Sequence, residues 1–192
     1  DGGRGNCAVR ENRRGILYSL VYGKFCSEHV DPIEKKPLFK VLPGSRSYSI
    51  ATVGCNFHCR HCQNYTISQV PADGSIQGYS RSPEQVVHRA LAGQCRSISY
   101  TYTEPTIFYE YALDTARLAK ESGLLNVFVT NGYITKEALA DCAPFLDAEL
   151  VDWLAAMPYQ YKFQAGVGKL LLKKAMQGRI PESILQRPKK GF

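Results

Sequence analysis

Between residues 48 and 145 the chain repeats one rhythm three times, a short strand-like run followed by a helix-like stretch. Tyr48 to Val53 reads as a buried strand that stops at Gly54. Ser82-Pro83-Glu84-Gln85 then opens a helix: the serine caps it, proline takes the first position, and Gln85 closes a capping box. Arg96 to Tyr102 is a second strand, with Ile98, Tyr100 and Tyr102 interleaved among polar residues. Ile107, Tyr111, Leu118 and Ala119 mark a longer helix that Gly123 can terminate. Asn126 to Thr130 is a third strand, and Thr135 can cap a third helix. Three βα units in succession predict an α/β fold on a parallel sheet. In such sheets functional groups gather beyond the carboxyl ends of the strands. Chemistry-bearing residues stand at all three of those ends: a cysteine loop, Thr103-Glu104-Pro105 and Thr130-Asn131-Gly132.

The flanks differ. Residues 1–47 are rich in turn formers, with one β-like run from Ile16 to Tyr22, and are expected to be irregular or short-stranded. After about residue 145 the pattern turns helical: Leu150 to Ala156, Gly168 to Gln177 and a short segment from Ile180, with no further strand expected. The amino terminus has no apolar core and does not read as a signal peptide, and both ends look cut. No apolar run is long enough to cross a bilayer. The formal charge of +7 sits mainly at Arg10, Arg13 and Arg14 and beyond Lys162. No nucleic-acid motif accompanies it, so solvated helix faces are the expected explanation.

Seven cysteines in a chain without a secretory signal point away from a disulfide scaffold and toward metal or redox use in a reducing cytoplasm. Cys55, Cys59 and Cys62 fall within eight residues, spaced Cys-x3-Cys-x2-Cys. A [4Fe–4S] cube normally takes four thiolates. Three on one loop would leave an iron open to a substrate or cofactor. Zinc is the alternative, held by the same cysteines and His58 or His61; three unrelated thiols are the plain reading. Cys26, Cys95 and Cys142 stand alone and are expected to serve as small core residues.

From Cys7 to about Asp147 the sequence resembles the radical S-adenosylmethionine (SAM) enzymes, in a branch close to the glycyl-radical (pyruvate formate-lyase) activating enzymes. That branch is usually called the AmmeMemoRadiSam system radical SAM enzyme. The match is carried by Cys7-Ala8-Val9-Arg10-Glu11-Asn12, Asp31-Pro32-Ile33-Glu34-Lys35-Lys36-Pro37-Leu38, the cysteine loop with Cys62-Gln63-Asn64, Tyr100 to Thr106, and Thr130-Asn131-Gly132-Tyr133. The resemblance implies a [4Fe–4S] cluster on Cys55, Cys59 and Cys62 whose vacant iron is chelated by SAM, with reductive cleavage to a 5′-deoxyadenosyl radical. It places Phe57 beside the cluster or the adenine, Glu104 at the SAM amino group, and Thr130 and Asn131 at its ribose or carboxylate. It implies a Memo-type and an AMMECR-type protein as partners, and an electron donor such as flavodoxin or ferredoxin. Cys7 resembles the last of several amino-terminal cysteines.

A full core of this kind has about six βα units, so the expectation is an incomplete partial barrel of about three units followed by a mostly helical tail. Residues 1–47 would precede the barrel, 48–145 form its truncated core, and 146–192 form the tail. From about Pro144 the tail resembles the carboxyl-terminal part of asparagine synthetases. The carriers include Lys169 to Ala175, Ile180 to Leu185 and Arg187-Pro188-Lys189-Lys190-Gly191-Phe192. Lys189 resembles a lysine near that family's phosphates, but the family's pyrophosphatase loop is missing from these residues. The two resemblances meet at Pro144-Phe145-Leu146-Asp147, where both families carry Pro-x-Leu-Asp, a place that suits a recombination or sequence-assembly joint.

Overall fold

The computed structural model describes residues 1–36, 38, 41–60 and 62–147, together with 163–164 and 167–168. Its centre is a four-stranded sheet in the order β4 (Ser27–Pro32), β5 (Arg46–Ala51), β7 (Ser97–Tyr100), β8 (Leu125–Phe128). Strands β5, β7 and β8 run parallel, with Tyr48 beside Ile98, Ile50 beside Tyr100, and Tyr100 beside Phe128. These are the three strands expected from the sequence: each ends two residues earlier than expected, while β5 and β8 also begin earlier. The connections are made by α2 (Pro83–Ala92) and α3 (Tyr109–Glu121).

Local chemistry sets the helix boundaries. Ser82 Oγ accepts from the Gln85 amide while the Gln85 side chain accepts from the Ser82 amide, the reciprocal box read from the sequence. Helix α3 follows a 3₁₀ turn at Pro105–Phe108 and is stopped by Gly123, whose φ of +76° closes the last turn. Thr135 Oγ1 accepts from the Ala138 amide and caps α4 (Lys136–Cys142).

One face of the sheet is apolar. Tyr48, Ile50, Ile98 and Tyr100 pack with Val86, Val87 and Ala90 of α2 and with Tyr111, Ala112 and Ala116 of α3. The buried Asn126 on this side is satisfied by Tyr100, Ala116 and Phe145. The opposite face carries the small hydroxyls Ser47, Ser49, Ser97 and Ser99, all fully buried. Ile33 and Leu38 pack there against Val127, and Asp31 meets Ser49.

The amino-terminal segment is more ordered than its composition predicts. β1 (Arg10–Arg13) and β2 (Ile16–Ser19) form an antiparallel hairpin, turned at Arg14 and Gly15, both with positive φ. β3 (Lys24–Phe25) pairs with β6 (Tyr79–Ser80), and β4 lies antiparallel on β5. The sheet is therefore mixed at one margin. Arg10 ties the hairpin to α3 through two bonds to Glu110, at 2.6 and 2.7 Å.

Of residues 146–192, Leu146, Asp147, Phe163–Gln164 and Val167–Gly168 are described, and the last two segments pair antiparallel as β9 and β10. This corrects the expectation that the tail holds no strand. The helices expected over 150–156, 168–177 and from 180, and Lys189, lie outside the described residues, apart from Gly168, which is strand. Among the described residues no helix is long and apolar enough to cross a membrane.

Candidate functional site

The cysteine loop leaves β5 through Gly54, whose φ is +97°. A Cβ there would lie 2.7 Å from the Cys7 carbonyl oxygen and 2.8 Å from Val9 Cγ1. Glycine is thus demanded twice, by conformation and by the close approach of the amino-terminal segment. Cys55 is buried, while Cys59 and Cys62 are half-buried and joined by a turn in which the Cys62 amide donates to the Cys59 carbonyl at 3.1 Å. The short helix α1 (Tyr65–Ser68) follows and brings Ser68 Oγ to 3.6 Å from Cys62 Sγ.

Burial pushes the Cys55 thiol up, and the nearby backbone of Phe57 and Glu104 pulls partly against that rise. Burial also raises Cys59, and the neighbouring Cys62 adds to the effect. Three soft donors on one loop suit an iron–sulfur cluster by their chemistry. Among the described residues, no three His, Cys, Asp or Glu groups close to the spacing of a single ion. A cube of four irons takes its thiolates further apart than one ion does. His58 is exposed, and His61 lies outside the described residues.

The other candidates converge. Glu104 is fully buried where the chain leaves β7. Its carboxylate accepts from Thr130 Oγ1 at 2.6 Å, from the Asn131 amide at 2.8 Å and from Asn131 Nδ2 at 3.2 Å. Thr106 adds longer bonds from its amide and hydroxyl. Burial raises the Glu104 carboxyl above its ordinary value despite these donors. So Glu104, Thr130 and Asn131 form one constellation.

Phe57 turns its ring edge-on to Tyr133, with centroids 5.7 Å apart, and its carbonyl accepts from Gln69. Both rings line a cavity of about 720 Å³ with Asn6, Cys7, Arg10 and Ile107. Cys95 and Cys142 are buried and Cys26 packs partly against the core, as expected for small apolar residues.

Sequence reasoning did not single out Tyr102, Asn64, Asp31 or Lys36 individually. By strand alternation Tyr102 should share the face of Ile98 and Tyr100. Its φ of +68°, with the Thr103 amide donating to the Thr101 carbonyl at 2.9 Å, makes it the centre of a γ-turn instead. The ring goes to the serine face, where its hydroxyl meets Asp31. Nothing in the residue type signals that reversal.

Comparison with known proteins agrees with this arrangement. The family model described as "Radical SAM superfamily" matches residues 49–155, more than half of the chain, and one described as "Asparagine synthase" matches residues 142–192. An uncharacterized protein of Methanocaldococcus jannaschii is 53% identical over 139 residues, 72% of this chain and 41% of that protein. The 7-carboxy-7-deazaguanine synthase of Thermococcus kodakarensis is 28% identical over 125 residues, 57% of this chain and 49% of the enzyme. The glutamine-hydrolyzing asparagine synthetase 1 of Bacillus subtilis is 43% identical over 49 residues, 26% of this chain and 8% of that protein. The chain spans less than half the length of each of these relatives.

Proposed function

The chain belongs to the radical SAM superfamily, and on that premise we propose that it is a SAM-cleaving enzyme, or the amino-terminal part of one, built around Cys55, Cys59 and Cys62. The observation that carries this reading is the convergence of the strand ends on the thiol loop. The Glu104 carboxylate is tied to Thr130 and Asn131, and two residues earlier the Tyr102 carbonyl accepts from Asn64 of the loop at 2.8 Å. The thiol loop is thereby joined to a polar constellation at the ends of two parallel strands.

The three thiolates would hold a [4Fe–4S] cluster. When bound, such a cluster supplies one electron to the sulfonium of SAM, whose S–C bond breaks to methionine and a 5′-deoxyadenosyl radical. The nearby backbone of Phe57 and Glu104 favours the thiolate form of Cys55. Glu104 offers a buried carboxylate to the ammonium of SAM, and a cation there would draw its raised pKa back down. Thr130 and Asn131 orient that carboxylate and present polar groups to the ribose or carboxylate of SAM. Phe57 and the exposed Tyr133 present aromatic rings to the cavity beside the loop.

The finer reading places the chain in the AmmeMemoRadiSam branch, near the glycyl-radical activating enzymes and acting in the cytoplasm. Memo-type and AMMECR-type proteins would be its partners, and flavodoxin or ferredoxin its electron donor. The block from Asp31 to Leu38 supports that branch. The domain division follows the same reading: residues 1–47 precede the barrel, 48–145 form a truncated core and 146–192 an asparagine synthetase-like tail. Both family models cover residues 142–155, which supports a recombination or assembly joint there. On this reading the natural protein is not this chain; resequencing the source DNA across codons 140–150 tests it, and a joint that proved real would sink it.

The enzyme reading is tested by anaerobic reconstitution with iron and sulfide, dithionite reduction with SAM, and assay for 5′-deoxyadenosine. Formation of that product by the full chain, abolished in Cys59→Ala, is the expected result. Iron and sulfide uptake without product would support a non-catalytic cluster-binding fragment, and zinc uptake alone a zinc site. Amidation of the asparagine synthetase type rests on the tail alone.

A further inference from the structure

The cysteine loop and Glu104 are held in register from the far side of the sheet. Asp31, on the antiparallel edge strand, is buried, and Lys36 beside it is only 2% exposed. Lys36 Nζ donates to Asp31 Oδ2 at 2.6 Å and Ser49 Oγ donates to the same oxygen at 2.8 Å. The Tyr102 hydroxyl is a third donor to it. Lys35 takes the other carboxylate oxygen at 2.8 Å. Both lysines also lie over the Tyr102 ring, at 5.6 and 4.6 Å from its centroid.

The clamped residue is the pivot of the site. Tyr102 occupies the left-handed region, an uncommon place for an aromatic residue, and sits two residues before Glu104. Its carbonyl oxygen accepts from Asn64 Nδ2 at 2.8 Å, and Asn64 lies two residues after Cys62. A buried ion pair is weak evidence for stability, and in some proteins it serves instead to fix a unique geometry. Here it is spent on one strained residue, which in turn grips the end of the thiol loop.

We propose that Asp31, Lys36, Tyr102 and Asn64 form a positioning unit that sets the Cys59–Cys62 turn against Glu104. None of the four is a catalytic residue. The unit rests on the reading of the three thiols as cluster ligands, because its purpose is to hold them pre-arranged before iron arrives. It also assigns a role to the Asp31 to Lys36 stretch that the cysteine motif alone does not explain.

The test uses the full chain, reduced and metal-free. The rate at which iodoacetamide alkylates each cysteine is followed by mass spectrometry, with Cys95 and Cys142 as internal controls from the core. In Asn64→Ala the tie to Tyr102 is cut, and Cys59 and Cys62 should react about fivefold faster relative to the controls, the factor one net hydrogen bond is worth. Tyr102→Phe keeps the carbonyl but removes the hydroxyl, and should move the same two cysteines in the same direction. The paired change Asp31→Asn with Lys36→Met removes both charges together, avoids stranding either, and should reproduce that selective gain.

Unchanged Cys59 and Cys62 rates in Asn64→Ala would overturn the proposal. So would equal acceleration of all cysteines in every variant, which is general loosening. Iron and sulfide uptake by the unmodified chain is measured in parallel. Failure there counts against the cluster reading, while selective alkylation still decides whether the loop is held from Tyr102.

Discussion

Thr130 Oγ1 donates to Glu104 at 2.6 Å and so joins the ends of β7 and β8 across a buried carboxylate. The same hydroxyl oxygen accepts from the Gly132 amide at 3.0 Å, so it serves both sides of the turn. Thr130→Val keeps the shape and removes both bonds. Because a buried charged acceptor loses a donor, the expected cost is about 1–3 kcal/mol. Urea unfolding would measure it, and an unchanged midpoint would mean that water replaces the hydroxyl. SAM affinity should weaken in the same variant.

Acid should weaken the far side of the sheet. Burial raises the Asp31 carboxyl, but the bonds from Lys35, Lys36, Tyr102 and Ser49 outweigh it and hold it well below the usual carboxylate range. A carboxyl lowered in the folded state contributes stability that is fully present above its unfolded pKa of about 3.9. That contribution drains away as pH falls from there toward the depressed folded value. Thermal melts taken downward from pH 5 should therefore show a loss in the natural chain that is blunted in the Asp31→Asn, Lys36→Met pair.

Two glycines with left-handed φ should respond differently to the same change. At Gly123 an added Cβ meets nothing within 4 Å, so alanine brings backbone strain alone, about 1–2 kcal/mol. At Gly54 the methyl would also collide with the Cys7 carbonyl and Val9. Gly54→Ala should cost clearly more and lower the iron taken up, whereas Gly123→Ala should leave uptake intact. Comparable iron content in the two variants would contradict the packing of the amino-terminal segment on the loop.

The solitary cysteines offer the complementary control. Cys95 is buried against the core, away from the loop. Cys95→Ala should lower stability by about 1 kcal/mol, a typical core substitution, and bind as much iron and sulfide as the natural chain. A fall in iron content with no change in stability would place Cys95 among the ligands.

What could be read from residue order was what depends on neighbours in sequence. The capping box at Ser82 and Gln85, the cap at Thr135 and the stop at Gly123 are local devices, and each stands where expected. The gathering of Glu104, Thr130 and Asn131 followed from the rule that parallel strands share a carboxyl end. The edge strand from Ser27 to Pro32 was hidden because its polar residues and terminal proline lack strand alternation. Its partnership with β5 is long-range, as is the burial of Asp31 against Tyr102. The γ-turn at Tyr102 is imposed by tertiary contacts on a residue that prefers extended backbone, so no local pattern announces it.

The buried charge of Asp31 also fixes where the sheet ends. A strand at a sheet margin invites further strands, and inward-pointing charge together with proline discourages them. β4 has both, with Glu28 and Asp31 among its residues and Pro32 at its close. β8, at the other margin, reads Leu-Asn-Val-Phe and carries no charge. The first residue to bond along that outer side is Asp147, whose amide donates to the Asn126 carbonyl at 3.0 Å while its carboxylate accepts from the Asn126 amide. Among the described residues, one margin is sealed by electrostatics, and no further strand pairs with β8 at the other.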